Sequence, residues 1–411
     1  MDRRNRTKRH VERSERIIDI RVDKVVAEGD GLGRDATGKV VFVEGALPGE
    51  RVSARIVSES KDYARAIAVD IIDRNQHRVT PACPYVAAGC GGCDLQHADE
   101  DLQMEIKKAI VTESLERLGR VHSPDVRVIR QAHSVRTLRT TVRVAAVGDR
   151  VGFRRRRSRE VVPIETCLVA HPRINDIIAG LRLAPDAEAV LRVGTSSDES
   201  VIWVEPSEDL VSADGSSRTG STATIREIIA GVEFVVSAGS FFQSSPGAAD
   251  TLVDAVARAV GPSESWPEGI VIDAYGGVGL FAGTVVPRER RAVLIEASAS
   301  SCADARVNLR HHDVEIFEGR VEEWSPVPAA VVIADPARDG LGAAAVDVLT
   351  RCEPAVFVLV SCDPASLGRD ARLLEEAGYR LAYSEVLDVF PHTHHVETVS
   401  RFVRSPLDEV S

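Results

Sequence analysis

A cysteine at the end of a predicted strand has the clearest chemical potential in this chain. Cys362 follows the apolar run 356–360, which reads as a buried strand, and Pro364 ends that run before a helix expected to begin near Ala365. Open α/β sheets place their reactive groups at the carboxyl ends of their strands. A cysteine here is otherwise a small buried apolar residue, so its assignment as a nucleophile depends on the groups beside it.

A carboxylate precedes the last predicted strand. Glu397 follows Pro391, His394 and His395 in the segment 388–398. On its own, a glutamate in this position is a solvated surface residue. Beside a strand-end thiol it becomes a candidate general base, because an activated nucleophile and a proton acceptor are needed together.

A glycine-rich turn follows an earlier predicted strand. Asp273 ends that strand, and the turn is Tyr275-Gly276-Gly277-Val278-Gly279. Glycines at a strand-to-helix turn let a ligand approach the backbone closely. Glu296 ends the next strand, 23 residues after Asp273, where a carboxylate accepts hydrogen bonds from a ribose. NAD and S-adenosylmethionine (SAM) both suit such a crevice, but a reductase gives Cys362 no role.

Four cysteines in the first half have the spacing of metal ligands. Cys90 and Cys93 form a C-x2-C pair, Cys83 lies upstream, and Cys167 is the remaining cysteine before residue 302. Four thiolates bind zinc or an iron–sulfur cluster, and spacing alone leaves both open, together with unligated thiols. The chain has seven cysteines, unevenly spaced, which favours metal or catalytic use over a disulfide framework.

The second half alternates strands with helices. Strands are predicted at 269–273, 292–296, 331–334 and 356–360, with helices such as 298–310 and 341–352 between them. This alternation predicts a doubly wound parallel sheet, and we assign it to a domain at 233–407.

The first half predicts three further regions. Residues 1–16 are mostly charged and read as a basic disordered tail. Five short β segments in 17–75 predict a small barrel of the oligonucleotide-binding type. Residues 76–232 read as a β-rich central domain, with an amphipathic helix at 102–118.

The charge of the chain is unevenly distributed. Residues 1–170 contain 32 Lys and Arg against 25 Asp and Glu, whereas the remainder contains 19 against 37. This asymmetry places the expected polyanion-binding surface in the first half, including the tail and the run Arg154 to Arg157. No apolar run approaches the roughly eighteen residues of a membrane span, so we expect no membrane contact and a cytoplasmic location. We also expect a monomer.

Several motifs resemble those of a known family. Three stretches resemble the TRAM domain, an RNA-binding barrel of RNA-modifying enzymes: Gly31-Leu-Gly-Arg, the run 38–50 and Lys61-x-Tyr63. The run 83–97 resembles the [4Fe–4S] site of RNA uracil-C5 methyltransferases, and Asp335-Pro-Ala-Arg resembles the acidic turn of SAM-dependent methyltransferases. From residue 17 almost to its end, the chain resembles the TRAM-containing, iron–sulfur branch of the RNA (uracil-5-)-methyltransferases.

The resemblance implies a fold and a reaction. The fold class would be α/β, with a Rossmann-like class I SAM methyltransferase domain, an N-terminal OB-like TRAM β-barrel and a β-rich central domain. The reaction would be SAM-dependent methylation of a uridine at C5, which needs a nucleophile, a base and a methyl donor. The partner would be RNA, with 23S rRNA expected in preference to tRNA because the TRAM domain and the cluster occur together.

The resemblance also implies roles for individual residues. Cys362 in S-C-x-P matches the nucleophile, and Glu397 in F-P-H-T-x-H-x-E matches the base. SAM would contact Gln243, Tyr275, Glu296 and Asp335, and the [4Fe–4S] cluster would be held by Cys83, Cys90, Cys93 and Cys167. The chain departs from the family where Asp363 and Ser245 replace Asn, where Gly276 replaces a common Cys, and where six residues rather than five separate the first two cysteines of the cluster motif.

Three alternatives remain open. A tRNA uridine methyltransferase would share every motif. A zinc-containing methyltransferase of other substrates would use the same four thiols. An inactive RNA-binding homologue would keep the fold, but the presence of both Cys362 and Glu397 argues against it.

Overall fold

Two compact units make up the chain in a computed structural model that describes residues 16–131, 138–197, 199–213 and 215–405. Among these residues, the first unit contains 16–82, 94–106 and 392–394, and the second contains the others. The predicted tail, apart from Arg16, lies outside the described residues. No helix formed by the described residues is both long and apolar enough to cross a membrane.

The first unit is built on a closed five-stranded barrel. Its strands are β1 (Ile17–Val25), β2 (Gly31–Arg34), β3 (Val40–Glu44), β4 (Arg51–Glu59) and β5 (Tyr63–Asp73). Their order around the barrel is β1-β2-β3-β5-β4, with β3 and β5 parallel. The OB-like prediction is confirmed.

Alternating side chains fill the barrel, as expected for strands with one buried face. The interior contains Ile20, Val41, Val43 and Val52. At Gly33 a Cβ atom would lie 2.2 Å from the carbonyl oxygen of Arg21, so the close approach of β1 and β2 requires glycine.

The first part of the second unit, up to residue 237, contains a six-stranded central sheet and the elements around it. Its elements are α1 (Pro84–Ala87), α2 (Glu100–Arg117, which contains the unit boundary), β6 (Val126–Ile129), β7 (Thr141–Val147), β8 (Arg150–Arg154), β9 (Val161–Pro163), α3 (Pro172–Gly180), β10 (Arg182–Leu183), β11 (Glu188–Val193), β12 (Ser200–Val204), β13 (Leu210–Ser212), β14 (Arg218–Thr219), β15 (Thr224–Ile229) and β16 (Val232–Ser237). The six-stranded sheet has the order β14-β12-β11-β7-β8-β9, and Ile174 and Ile177 of α3 share its core.

The rest of the second unit is a doubly wound sheet. Its elements are α4 (Pro246–Val260), β17 (Ile270–Ala274), α5 (Leu280–Thr284), β18 (Ala292–Glu296), α6 (Ala299–Asn308), β19 (Val314–Glu318), β20 (Ala329–Ala334), α7 (Gly342–Thr350), β21 (Val356–Ser361), α8 (Pro364–Glu376), β22 (Tyr379–Leu387) and β23 (Glu397–Arg404). The strand order is β19-β18-β17-β20-β21-β23-β22-β6, and β17 to β21 are mutually parallel.

The central strands of this sheet are apolar along their whole length because helices cover both faces. All six residues of β20 and all six of β21 are buried. The strand order reverses between β17 and β20, and such a switch point opens a crevice at the carboxyl ends of the strands. The α/β fold class with a SAM-methyltransferase-like sheet is confirmed.

Candidate active site

Cys362 and Glu397 lie at adjacent ends of two neighbouring strands. Strand β21 pairs antiparallel with β23, and Ser361 is opposite Thr398. Cys362 follows Ser361 directly and Glu397 directly precedes Thr398. The Thr398 hydroxyl donates to the Ser361 carbonyl at 2.9 Å and fixes this end of the ladder.

Burial raises the pKa of both Cys362 and Glu397. It raises the pKa of the Cys362 thiol to about 11, and the negative charges of Glu397 and Asp335 add to the rise, while Arg338 opposes it. Burial likewise raises the pKa of Glu397 well above its ordinary value, with Asp335 contributing. The thiol is therefore protonated at neutral pH in the free protein, beside two carboxyl groups that disfavour each other's ionisation.

The glycine turn and Glu296 form one hydrogen-bonded crevice. Glu296 accepts from the Gly277 N–H at 3.0 Å and the Ser298 N–H at 2.6 Å, and each carboxylate oxygen keeps a lone pair for a ligand. Tyr275 has a positive φ of 61°, a conformation that costs free energy and often occurs at ligand sites. The Asp335 N–H donates to the Ala274 carbonyl at 3.2 Å, so Asp335 lies beside this turn.

Asp273 lies buried beneath the crevice. Its Oδ2 accepts from the Ala282 N–H at 2.9 Å, whereas no described residue provides a partner for its buried Oδ1. Burial raises the pKa of Asp273 to about 7, and the charges of Asp335 and Glu296 add to the rise. From the sequence, Asp273 was used only to mark the end of a strand, and the raised pKa of its carboxyl group was not predicted.

Gln243 follows a turn at residues 237–240 that two buried ionic side chains hold in place. The Arg192 guanidinium donates to the carbonyls of Ser237 at 2.6 Å and Ser240 at 2.9 Å. The Asp304 carboxylate accepts from the Ser237 N–H at 2.8 Å and the Ser240 hydroxyl at 2.7 Å. Gln243, itself buried, follows three residues later, so the turn fixes the backbone leading into it.

The four cysteines of the first half are half-buried. Burial raises the pKa of Cys93 to about 12, and the charges of the other three thiols add to the rise while Arg139 opposes it. Burial also raises the pKa of Cys90 and Cys167, against backbone hydrogen bonds from Gly92 and Val169. In the described parts of the chain, no three His, Cys, Asp or Glu side chains are arranged to hold a metal ion.

Comparison with known proteins identifies the family. The TRAM domain model matches residues 14–69. An RNA methyltransferase of Streptomyces avermitilis is 35% identical, over 93% of this chain and 97% of that protein. One from Caldanaerobacter subterraneus is 30% identical, over 91% and 95%. The chain belongs to the RNA methyltransferases.

A solved structure supports the fold of this RNA methyltransferase. The tRNA (uracil-54, C5)-methyltransferase of Pyrococcus abyssi, determined with S-adenosyl-L-homocysteine, superposes with a TM-score of 0.69. The alignment covers 93% of this chain and 99% of that one at 24% sequence identity. At this identity the likeness establishes the shared architecture.

Two departures from the family pattern serve as helix caps in this RNA methyltransferase. Asp363 begins α8, and its carboxylate accepts from the Ser366 N–H at 2.8 Å. Ser245 begins α4, and its hydroxyl accepts from the Ala248 N–H at 3.1 Å. Asp and Ser are as effective as Asn in this position, so both replacements preserve the helix starts that follow Cys362 and Gln243.

The third departure, Gly276, is explained by packing. A Cβ atom there would lie 2.6 Å from Cγ of Leu294, so a larger residue would require that buried leucine to move. Arg338 was absent from the predicted site, although its cation opposes the rise in the pKa of Cys362. Its signal was present in the sequence as the fourth residue of the turn that begins at Asp335.

The arginine run is partly committed to ion pairs. Arg154 contacts Glu188, and Arg155 contacts Glu160 at 3.1 Å. Both pairs are on the surface, where such contacts are weak and exchange readily. Phosphate contact by Arg154 to Arg157 stays a prediction.

Proposed function

We propose that this RNA methyltransferase transfers a methyl group from SAM to C5 of a uridine through a covalent bond between Cys362 and C6. The observation that carries the proposal is that Cys362 and Glu397 lie at adjacent strand ends at the carboxyl edge of the sheet, where the charges of Glu397 and Asp335 both act on the Cys362 thiol. The Pyrococcus abyssi enzyme of the same fold is named for methylation at uracil C5, which also supports the proposal.

The proposed chemistry assigns one bond change to each residue. The Cys362 thiol first gives up its proton to solvent, and the thiolate then adds to C6, while the electron pair of the C5–C6 double bond moves to C5, which becomes nucleophilic. SAM, when bound, supplies an electrophilic methyl group to C5. Glu397 then takes the C5 proton, the double bond re-forms, and the bond between sulfur and C6 breaks to release the thiolate. The C5 proton is the one that the overall reaction releases.

The crevice has a suitable shape and chemistry for SAM. Gly277 has a φ of +55° and open space where a Cβ atom would lie, so a ligand can approach the backbone. Glu296 is placed to accept from a ribose hydroxyl, and Tyr275 and Asp335 border the same turn. Gln243 completes the proposed set.

Cys83, Cys90, Cys93 and Cys167 hold a [4Fe–4S] cluster in this proposal. Their mutual effect on pKa supports a common site, and backbone N–H groups that point at sulfur are typical of such clusters. Four thiolates bind either zinc or an iron–sulfur cluster, and the resemblance of the run 83–97 to the cluster motif favours the cluster. Anaerobic protein should contain about four iron and four sulfide per chain, and stoichiometric zinc without iron would contradict the assignment.

The RNA substrate is proposed to be 23S rRNA, with tRNA as the second candidate because the Pyrococcus abyssi enzyme is named for tRNA. Mapping 5-methyluridine in both RNAs from a deletion strain decides between them. A monomeric state and a cytoplasmic location stay predictions.

Covalent trapping tests the chemistry. A 5-fluorouridine RNA should form a denaturation-resistant adduct with the protein and SAM, because fluorine cannot leave as a cation. Cys362→Ala should form none. Glu397→Gln should accumulate the adduct on ordinary RNA, since an amide cannot take the C5 proton. Trapping that survives in Cys362→Ala would refute the role of this thiol.

A further inference from the structure

We propose that helix α2 holds the nucleophile and the base of the proposed reaction in position, with Lys107 and Ser114 as positioning residues. Lys107 holds the segment that leads to Glu397, and Ser114 holds the segment that follows Cys362. This inference rests on the proposed function, because it concerns how that reaction keeps its two reacting groups in place. Both residues act through the protein backbone and not on the RNA.

Lys107 and Ser114 lie on one face of α2. They are seven residues apart, in the part of the helix that belongs to the second unit. Seven residues make about two turns, so the two side chains leave the same side of the helix about 10 Å apart along its axis. Lys107 is fully buried, and Ser114 is 9% exposed. Because buried polar groups are hydrogen-bonded, the partners of these two side chains show what this face of α2 holds.

The Lys107 ammonium holds the segment before Glu397 by its main chain. Its Nζ donates to the Phe390 carbonyl at 2.8 Å and lies 3.9 Å from Oδ1 of Asp388. Phe390 belongs to the connection between β22 and β23, outside the strand ladder. A carbonyl in such a connection needs a partner from elsewhere in the fold, and Lys107 provides one.

A ring contact extends this position towards the base. The Phe390 ring meets the His395 ring edge to face, with centroids 6.1 Å apart and planes at 73°. His395 is two residues before Glu397, and Val396 between them is buried. Lys107, Phe390 and His395 therefore form a continuous series of contacts that ends beside Glu397.

Ser114 holds the start of the helix that follows Cys362. Its hydroxyl donates to the Pro364 carbonyl, and Pro364 begins α8 two residues after Cys362. The two helices cross at backbone distance here, since a Cβ atom at Gly368 would lie 2.6 Å from the Ser114 carbonyl oxygen. Such close packing leaves α8 little room to shift against α2.

The two contacts should control different steps of the reaction. Satisfied polar contacts in a protein interior fix a single arrangement more closely than apolar packing does. A displacement of about 1 Å at a reacting group can cost about 100-fold in rate. Loss of the Ser114 contact should displace Cys362 and slow its addition to C6. Loss of the Lys107 contact should displace Glu397 and slow removal of the C5 proton.

The test measures the two steps separately, with the full chain and SAM. The rate of adduct formation on 5-fluorouridine RNA reports addition and methyl transfer, whereas the adduct fraction on ordinary RNA reports how slowly the base resolves it. Lys107→Met keeps the length of the side chain without the ammonium. It should form the 5-fluorouridine adduct at the wild-type rate and accumulate about tenfold more adduct on ordinary RNA. Ser114→Ala should form the 5-fluorouridine adduct about tenfold more slowly and accumulate none on ordinary RNA.

Lys108→Met and Thr112→Ala are matched controls on the same helix. Lys108 is exposed, and the Thr112 hydroxyl donates to the Lys108 carbonyl at 2.8 Å within α2. Both variants should behave like wild type in both measurements. Thermal unfolding and SAM binding check that each variant is folded. Ser114→Ala, which removes a single oxygen atom, carries the test if Lys107→Met is unstable.

A role in stability alone would lower both measurements together, in proportion to the fraction of protein unfolded. That result would overturn the inference, and so would wild-type behaviour of both Lys107→Met and Ser114→Ala. Failure of the proposed function appears differently, because wild type would then form no adduct with 5-fluorouridine RNA. The two failures are therefore distinguishable.

Discussion

Replacing Glu397 with Gln should make the thiol of Cys362 easier to ionise. The pKa of this thiol rises from its ordinary 9.0 to about 11, first by burial and then through the charges of Glu397 and Asp335. At about 1.4 kcal/mol per pKa unit, this rise disfavours the thiolate by about 3 kcal/mol. At pH 9 about one thiol in a hundred is then ionised.

The Gln side chain matches Glu in size but carries no charge. Burial therefore still raises the pKa of Cys362, whereas the contribution from the negative charge of Glu397 is lost. We expect the pKa of Cys362 to fall by part of its total rise, because burial remains, and its alkylation at pH 9 to become faster. Iodoacetamide labelling from pH 7 to 11 measures this, with the Cys362 peptide quantified by mass spectrometry so that the other six cysteines do not interfere.

Glu353→Gln provides the control, because Glu353 is an exposed carboxylate paired with Arg404 at 3.4 Å and does not contribute to the pKa of Cys362. Its labelling profile should coincide with that of wild type. Coincident profiles for Glu397→Gln and wild type would refute the electrostatic coupling of thiol and carboxylate. A wild-type profile with a pKa below 8 would refute the role of burial.

Three further predictions follow from other parts of the chain. Burial raises the pKa of Asp273 to about 7 in the folded protein. The folded state is therefore favoured below about pH 4, and this stability is lost as pH rises through about 7, because the unfolded chain ionises first. In urea unfolding, Asp273→Asn should gain about 4 kcal/mol relative to wild type between about pH 4 and about pH 8. Arg192→Lys loses about two forked hydrogen bonds, so the unfolding free energy should fall by about 3 kcal/mol. The KM for SAM should rise more than kcat falls. An unchanged KM would mean that the turn held by Arg192 does not position Gln243. Deleting residues 1–16, which hold seven Lys and Arg, should reduce the salt slope of RNA binding by about 1 for each phosphate that the tail neutralises, with SAM binding unchanged.

The sequence was sufficient to predict the elements whose patterns are local. The barrel strands alternate buried and outward residues, and the sheet strands are short apolar runs bounded by turns. The predicted strand 292–296 matches β18, and the strand 356–360 ends one residue before the end of β21. Cys362 and Glu397 could be named because their residue types are required by one reaction.

Pairings between distant strands could not be predicted in the same way. Strand β23 inserts antiparallel between β21 and β22, and this insertion brings Glu397, at the start of β23, beside the end of β21 that Cys362 follows. Strand β6 pairs with β22, although more than two hundred residues separate them. Neither partner carries a local signal for the other. The protonation of Asp273 also depends on burial by elements far apart in the chain.

The late position of β23 has a consequence for biosynthesis. The ribosome makes Cys362 well before Glu397, and β23 is the last strand in the described part of the chain. A chain released before residue 397 would have the nucleophile but not the base, and in the proposed chemistry such a product could capture RNA without releasing it. It would also lack the strand between β21 and β22, so its sheet would remain split. In the proposed chemistry, the strand that completes the sheet is therefore the one that brings the base.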